Sequence, residues 1–366
     1  MRESDLRIGY FPSSESLSAP SDRRRFVYYA KRRGLKFELA NPRERYDLVV
    51  LNQRADLSIW SRYRPRDSRV IYDANDSYLS VPLTDLKQLQ RGLFKFVSGQ
   101  SRYLQLNYRR AVAEMCRRAD AVVCSTDEQR ELIMPLCRNA HLILDFQDED
   151  VTLIKTNYDN GRCFHFVWEG LASSGIPMAL LREMLEPISS EREVALHIVT
   201  NLVYLRYSNL IGKVHTPDEV ARRFGRFACH VYLYQWNPFA LANLATSADM
   251  ALIPIDMNNS FQRGKPENKL LFFWRIGVPT LTSATPAYKL AMQRAGLDMA
   301  CAGIEDWRAK LAHYMNDAAS RDRAGVKGRH AANQFYSSEE MMLRWDEVMG
   351  SLFGPDLRWP GRGATA

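Results

Sequence analysis

Six cysteines in 366 residues, none in a C-x-x-C pair, leave this sequence without the spacing of a disulfide frame or a zinc site. Cys116, Cys124, Cys137, Cys163, Cys229 and Cys301 sit mostly in apolar runs and read as reduced core residues. The seven histidines do not cluster at ligand spacing either, so no metal is signalled. No stretch approaches the roughly eighteen uninterrupted apolar residues that a spanning helix needs. The N-terminus is charged through Arg7 and has no apolar signal-peptide segment. The expected location is therefore the cytoplasm, with contact, if any, on the inner face of the plasma membrane. Internal repeats and low-complexity tracts are absent too. The composition, 46% hydrophobic, 25% charged and 11% aromatic, is that of a folded chain, and it excludes collagen-like and mostly disordered classes.

At about 100–200 residues per domain the length predicts two domains. Charge is unevenly divided between them. The net charge is +8, but residues 1–118 hold 24 Lys and Arg against 13 Asp and Glu, so the remainder is slightly acidic. Such asymmetry points to an anionic partner for the N-terminal third: a membrane surface, an acidic or phosphorylated acceptor, or nucleic acid. A basic surface that is merely solvated is the alternative.

Short apolar runs alternate with helical stretches. Strands are predicted at Leu6–Phe11, Leu35–Leu39, Asp47–Leu51, Arg69–Tyr72, Ala119–Thr126 and His141–Leu144, with a helix starting at Asp22 as its N-cap. From Thr84 to Arg118 apolar residues recur at three- and four-residue steps, predicting an amphipathic helix broken near Gly99, its polar side carrying Lys87, Arg91, Lys95 and further arginines. Gln147–Gly161 reads as a linker. A second series follows, with strands at Phe164–Val167, Ala195–Thr200, His230–Tyr234, Asp249–Ile255 and Val278–Leu281, a long loop around Leu205–Lys213, a helix over Met178–Leu185, and several closing helices before a loose tail. This pattern predicts α/β architecture with two doubly wound, Rossmann-like domains facing a central cleft: 1–150, 160–335, and a closing segment 336–366.

The stretch Ala248–Tyr288 carries the clearest chemistry. A buried strand opens into a loop bearing Arg263 and Lys265, then into a helix start with Glu267, Asn268 and Lys269. Free N–H groups and the positive end of a helix dipole, joined by Arg and Lys, make a site for a phosphate or diphosphate. An ordinary strand, loop and helix with solvated lysines is the alternative.

Asp249–Pro254, Asn268–Lys269–Leu270 and Gly277–Val278–Pro279, in that order, resemble the nucleotide-sugar-dependent glycosyltransferases of the two-domain GT-B fold, particularly the group 1 or family 4 enzymes. Ala119–Asp120 through Ser125 is similar to their N-terminal strand and turn, and the Trp345 helix to their closing helix, which crosses back to the first domain. The resemblance implies a metal-independent hexosyltransferase-like enzyme with no cofactor beyond its co-substrate. It would move a sugar from a nucleoside-diphosphate sugar to a hydroxyl of a saccharide or lipid-linked acceptor, in polysaccharide or glycoconjugate synthesis. Nucleic acid as acceptor and a catalytically silent binding module are the alternatives.

It further implies diphosphate binding by Arg263, Lys265, Asn268, Lys269 and the turn at Gly170, and nucleotide contacts from Trp236 and Glu267. Trp236 fits core packing equally. One departure is visible: the family's ribose-binding glutamate, five residues before Gly277, is Phe272 here. In the first domain Arg23, Arg24 and Arg25 are candidates for gripping an anionic group of donor or acceptor. Asp73 and Asp76 are candidates for a general base if the reaction inverts; Asp76 also suits a turn cap.

Overall fold

Strands that are apolar on both faces need helices on both sides, and short runs separated by helices satisfy this as an all-parallel sheet. The computed structural model describes residues 6–83, 85–205, 212–225 and 227–354. It contains two such sheets in two units, one of residues 1–146, 264–266 and 338–366 and the other of residues 147–263 and 267–337.

In unit 1 the strands are β1 (Ile8–Phe11), β2 (Glu38–Leu39), β3 (Leu48–Asn52), β4 (Arg69–Asp73), β5 (Ala121–Cys124) and β6 (Ala140–Leu142). They are all parallel, in the order β2-β1-β3-β4-β5-β6. Unit 2 holds β7 (Phe164–Glu169), β8 (Val194–Thr200), a hairpin of β9 (Val203–Leu205) and β10 (Lys213–His215), then β11 (His230–Gln235), β12 (Met250–Ile253), β13 (Thr280–Ser283) and β14 (Ala300–Cys301). Its main sheet is also parallel, in the order β11-β8-β7-β12-β13-β14. Both are doubly wound orders. The direction of winding reverses between β1 and β3 in unit 1 and between β7 and β12 in unit 2.

One device recurs at the amino ends of these strands. Asp47, Asp120 and Asp249 each stand one residue before a strand. The Asp249 N–H donates to the His165 carbonyl (2.8 Å), and the His165 N–H donates back to the Asp249 carboxylate (2.7 Å). Asp120 makes the same two-way contact with Val70 (2.8 and 2.8 Å), and Asp47 with Arg7 (2.9 and 2.7 Å). Each carboxylate thus satisfies a backbone donor that the ladder leaves over. Two of the three clasps close the pairs at which winding reverses, β3 with β1 and β12 with β7.

Several local expectations are corrected. Gln147–Gly161 is no free linker: the Lys155 N–H donates to the Ile276 carbonyl (2.8 Å), its ammonium to the carbonyls of Thr246 and Ala248, and the Tyr158 hydroxyl to the Gly277 carbonyl (2.8 Å). The break expected near Gly99 is present, between the helices Leu86–Val97 and Tyr108–Arg118, the second capped by Asn107. Asp22 is not an N-cap. It is buried within the turn Pro20–Arg23 and accepts from the Tyr10 hydroxyl (2.7 Å) and the backbone of Ser13 and Ser14 (2.7 and 2.9 Å), holding the loop after β1. The helix at Met178 continues to Glu191. Much of the expected Leu205–Lys213 loop, the start of the long helix at Thr84, the Lys87 side chain and the tail beyond Gly354 lie outside the described residues. All six cysteines are free, and burial pushes the thiols of Cys116, Cys124, Cys229 and Cys301 up to about 12.

A histidine chain lies on the unit 2 sheet. His165 Nδ1 meets His197 Nε2 at 3.0 Å, His197 Nδ1 meets the Tyr234 hydroxyl at 3.0 Å, and the His197 ring stacks on Tyr232. Burial, assisted by His165, lowers the His197 pKa to about 4.

Two predictions follow from these contacts. Asp249→Ala strands the His165 N–H and should cost about 1–3 kcal/mol in urea unfolding, with secondary structure retained. The His197 ring should titrate near pH 4 by NMR. Between its ordinary value and pH 4 the unfolded chain binds a proton that the fold does not, so stability falls as pH drops through that window, and His197→Gln should flatten the fall.

Candidate functional site

In open parallel α/β sheets ligands bind beyond the carboxyl ends of the strands, where winding reverses. In unit 2 that place is the end of β7 beside β12. There β7 finishes at Glu169 and turns at Gly170, whose N–H donates to the Val199 carbonyl (3.2 Å) while its carbonyl accepts from the Thr200 hydroxyl (2.6 Å). The helix Asn268–Arg275 starts alongside and sends in Lys269. The Lys269 ammonium donates to the Glu169 carbonyl (2.6 Å), lies 3.7 Å from the Glu169 carboxylate and stands 5.3 Å over the Trp168 ring.

Gly170 is required by this crowding. A Cβ there would fall 2.7 Å from the Trp168 ring and 2.8 Å from the Lys269 ammonium. Its own N–H being engaged by Val199, Gly170 serves by leaving room for Lys269, not as the backbone donor expected from the sequence. Glu267 is buried just ahead of the helix, and both Glu267 and Glu169 lie close enough to the buried Tyr288 to raise its hydroxyl pKa further after burial has done so. The site therefore gathers Lys269, Glu169, Gly170, Glu267 and Tyr288.

The helix itself is fixed at both ends by Gln147, which donates to the Asn268 carbonyl (2.5 Å) and accepts from Arg275 (2.5 Å). Arg275 also donates to the Tyr336 carbonyl. Phe272 is buried in the core with its ring edge on Phe273, so that helical turn presents no carboxylate. Arg263 is exposed on the short helix Ser260–Arg263, and Lys265 falls in the 264–266 segment of unit 1. Trp236 follows β11, its N–H donating to the Thr200 carbonyl (2.9 Å), and its indole Nε1 is buried with no hydrogen-bond partner among the described residues.

At the carboxyl ends of the unit 1 strands the arginines and aspartates divide their tasks. Arg25 is fully buried. It grips both oxygens of Asp73 (2.6–3.0 Å) and also reaches the Ile143 carbonyl (3.0 Å), Asp145 (3.1 Å) and Ser125 (3.4 Å). One guanidinium thus ties together the ends of β4, β5 and β6, and it is not open to an outside anion as the sequence suggested. Burial works against its charge, but Asp73 and Asp145 outweigh it and hold the pKa above the ordinary value. Burial likewise pushes the Asp73 carboxyl up, with Arg25 pulling against it.

Asp73 is therefore enclosed, while Asp76 is half-buried and exchanges two hydrogen bonds with Gln53 (2.5 and 2.8 Å). Arg23 and Arg24 are half-buried, and the Arg24 carbonyl accepts from Phe146. Sequence reasoning missed Glu169, Tyr288 and Gln147. Only Glu169 carried a signal, a carboxylate closing an otherwise apolar strand.

No family model matches the chain, and no curated protein is similar to it in sequence. Solved structures are similar in shape. The TarM G117R mutant of S. aureus, in a complex with Fondaparinux, alpha-GlcNAc-glycerol and UDP, gives a TM-score of 0.57 at 9% identity, over 82% of this chain. This chain spans only 55% of the length of that one. Sucrose-phosphate synthase from Thermosynechococcus elongatus gives 0.55 at 14% identity, covering 90% of this chain and 76% of its own. WaaG, a glycosyltransferase involved in lipopolysaccharide biosynthesis, gives 0.51 at 13% identity, over 94% of this chain and 98% of its own.

The fold is GT-B. Within a GT-B chain the closing helix Ser338–Phe353 belongs to unit 1, where Trp345 is fully buried, stacks on Tyr29 (5.5 Å) and meets Phe26, and Asp346 binds Arg33 (2.5 Å).

Because Arg25 neutralises Asp73 out of contact with water, Arg25→Met should cost about 3–5 kcal/mol in chemical denaturation. Arg25→Lys should recover only part, since an ammonium cannot reach five acceptors as a planar fork does.

Proposed function

We propose that this chain is a glycosyltransferase that moves a sugar from a nucleoside-diphosphate sugar to a hydroxyl of a saccharide or lipid-linked acceptor. The observation that carries the reading is the Lys269 cluster at the reversal between β7 and β12 of a GT-B fold. Lys269 rests on a carbonyl and a carboxylate, weak stand-ins for the diphosphate that would draw it. The positive end of the dipole of the helix Asn268–Arg275 points the same way. Together they would offset the charge that develops on the departing diphosphate as the sugar–oxygen bond breaks.

In this reading Trp236 stacks on the base and its buried Nε1 is available to a ligand acceptor. Glu267 stands where the ribose would otherwise lack a carboxylate, since Phe272 belongs to the core. Arg263 and Lys265 are secondary diphosphate contacts. Unit 1 holds the acceptor. Asp76 takes the proton from the acceptor hydroxyl if the configuration inverts, and Gln53 fixes the orientation of its carboxylate. A module that binds a nucleotide sugar without transfer is the second reading, favoured by the apolar Phe272.

Thermal-shift measurements with UDP-, GDP-, ADP-, CMP- and dTDP-linked sugars test the first step. The matching donor at about a hundredfold its Kd should stabilise the chain by about 2.7 kcal/mol. Lys269→Ala should abolish most of that shift and any measured transfer. Absence of a shift with every donor sinks both readings, and a shift without transfer to any acceptor leaves the second.

A further inference from the structure

The helix Leu86–Val97 is turned the opposite way from an ordinary amphipathic surface helix. Its described cations face inward: Arg91 lies 4.7 Å over the Tyr78 ring, and the Lys95 ammonium lies 4.0 Å over the Tyr108 ring and donates to the Tyr108 hydroxyl (2.7 Å). Leu93, Phe96 and Val97, spaced so as to share one side of the helix, are exposed. Burial of the Lys95 ammonium, with Arg91 and Arg54 nearby, lowers its pKa to about 8. The sequence assigned Arg91 and Lys95 to the polar side of this helix, and the structure turns both onto tyrosine rings of unit 1.

Gly92 extends the apolar surface beyond the helix. A Cβ there would fall 1.7 Å from the Gln105 carbonyl oxygen, so the glycine lets the following chain lie directly against the helix. That chain presents Leu104 and Leu106, the latter 63% exposed. Among the described residues seven of the nineteen large hydrophobics that are well exposed fall between Leu83 and Leu106. Scattered exposed apolar residues are ordinary, but a contiguous set marks an interaction surface.

The rim is cationic and amphipathic. Arg62 and Arg102 approach the exposed Tyr103 ring at 5.0 and 5.8 Å, and Arg110 is exposed nearby in sequence. Residues 83–118 contain eight Lys and Arg against two Asp and Glu.

We propose that unit 1 docks on an anionic lipid surface by inserting Leu93, Phe96, Val97, Leu104 and Leu106, with Arg62 and Arg102 meeting the headgroups. The charge of the rim selects this occupant. A second copy would set the same cations against themselves, whereas anionic headgroups neutralise them. Tyrosine between arginines suits the boundary between water and hydrocarbon. No helix among the described residues is long and apolar enough to cross a membrane, so the contact is a shallow one.

The test uses the full chain without donor or acceptor, so its outcome is independent of the transfer reading. The protein is floated with phosphatidylcholine vesicles with and without phosphatidylglycerol, at low and high salt. Wild type should float with the anionic vesicles and retain part of its binding at high salt. L104S/L106S should bind about tenfold less under both conditions. R62Q/R102Q should lose the preference for anionic lipid at low salt. Circular dichroism of each variant checks folding, and L104W supplies a second measurement, its emission shifting to the blue and being quenched by brominated lipid. Wild type that fails to float, binding unchanged in L104S/L106S, or no L104W shift overturns the proposal. Concentration-dependent self-association removed by L104S/L106S, without vesicle binding, assigns the patch to a second copy instead.

Discussion

Where a doubly wound sheet reverses direction, the two central strands are joined by no direct crossover, and their pairing depends on backbone bonds and on whatever closes their ends. In each unit an aspartate closes that pair at its amino end: Asp47 between β3 and β1, Asp249 between β12 and β7. A carboxylate on one strand and an N–H on the next complete the ladder at the pole where the chain needs no ligand. The opposite pole is then free to splay into loops, and Gly170, Lys269 and Glu267 are found there. The aspartate that most helps to reveal the fold in the sequence is thus distant in role from the chemistry, and its conformational task explains why an acidic residue precedes so apolar a strand.

At the carboxyl poles the two units solve the problem of exposed loop ends differently. Unit 1 uses a buried charge, Arg25, whose donors reach Asp73, Ser125, Ile143 and Asp145 and so hold three loops in register. Such a network fixes geometry at the expense of desolvating its ions, and it encloses Asp73 while leaving Asp76 and Gln53 nearer the surface. Unit 2 instead leaves its cation half exposed. Lys269 is steered by the Trp168 ring and by the missing side chain at Gly170, and Gln147 clamps the helix that carries it. A cation held by one carbonyl and a distant carboxylate remains able to exchange partners, which a ligand-binding group requires and a structural one does not.

Much of this was legible in the amino-acid order. Apolar runs expected to end at Phe11, Tyr72, Thr126, Val167 and Thr200, with helical stretches between them, place the strands within two residues of their carboxyl ends at Phe11, Asp73, Cys124, Glu169 and Thr200. Gly170 could be placed at a turn but not given its reason, which is its close approach to Lys269, 99 positions further along the chain. Glu169, although missed, was signalled as a carboxylate closing an apolar run. Tyr288 and Gln147 were not, because nothing local distinguishes a tyrosine or glutamine that will meet a distant helix.

Periodicity determined an amphipathic helix within 84–118, broken near Gly99. Only the tertiary structure decided which side faces out, since the pattern records two faces without saying which finds a partner. Tyr78 and Tyr108 supply rings for Arg91 and Lys95, and Gly92 admits the chain at Gln105, so the apolar side is left outward. The same holds for the arginine cluster. Sequence placed Arg23, Arg24 and Arg25 together at a helix start after the first strand, and the fold separated Arg25 from its neighbours by burying it against Asp73. Whether a charge is solvated, paired or turned onto a ring depends on groups that folding brings near it, and those distances exist only in three dimensions.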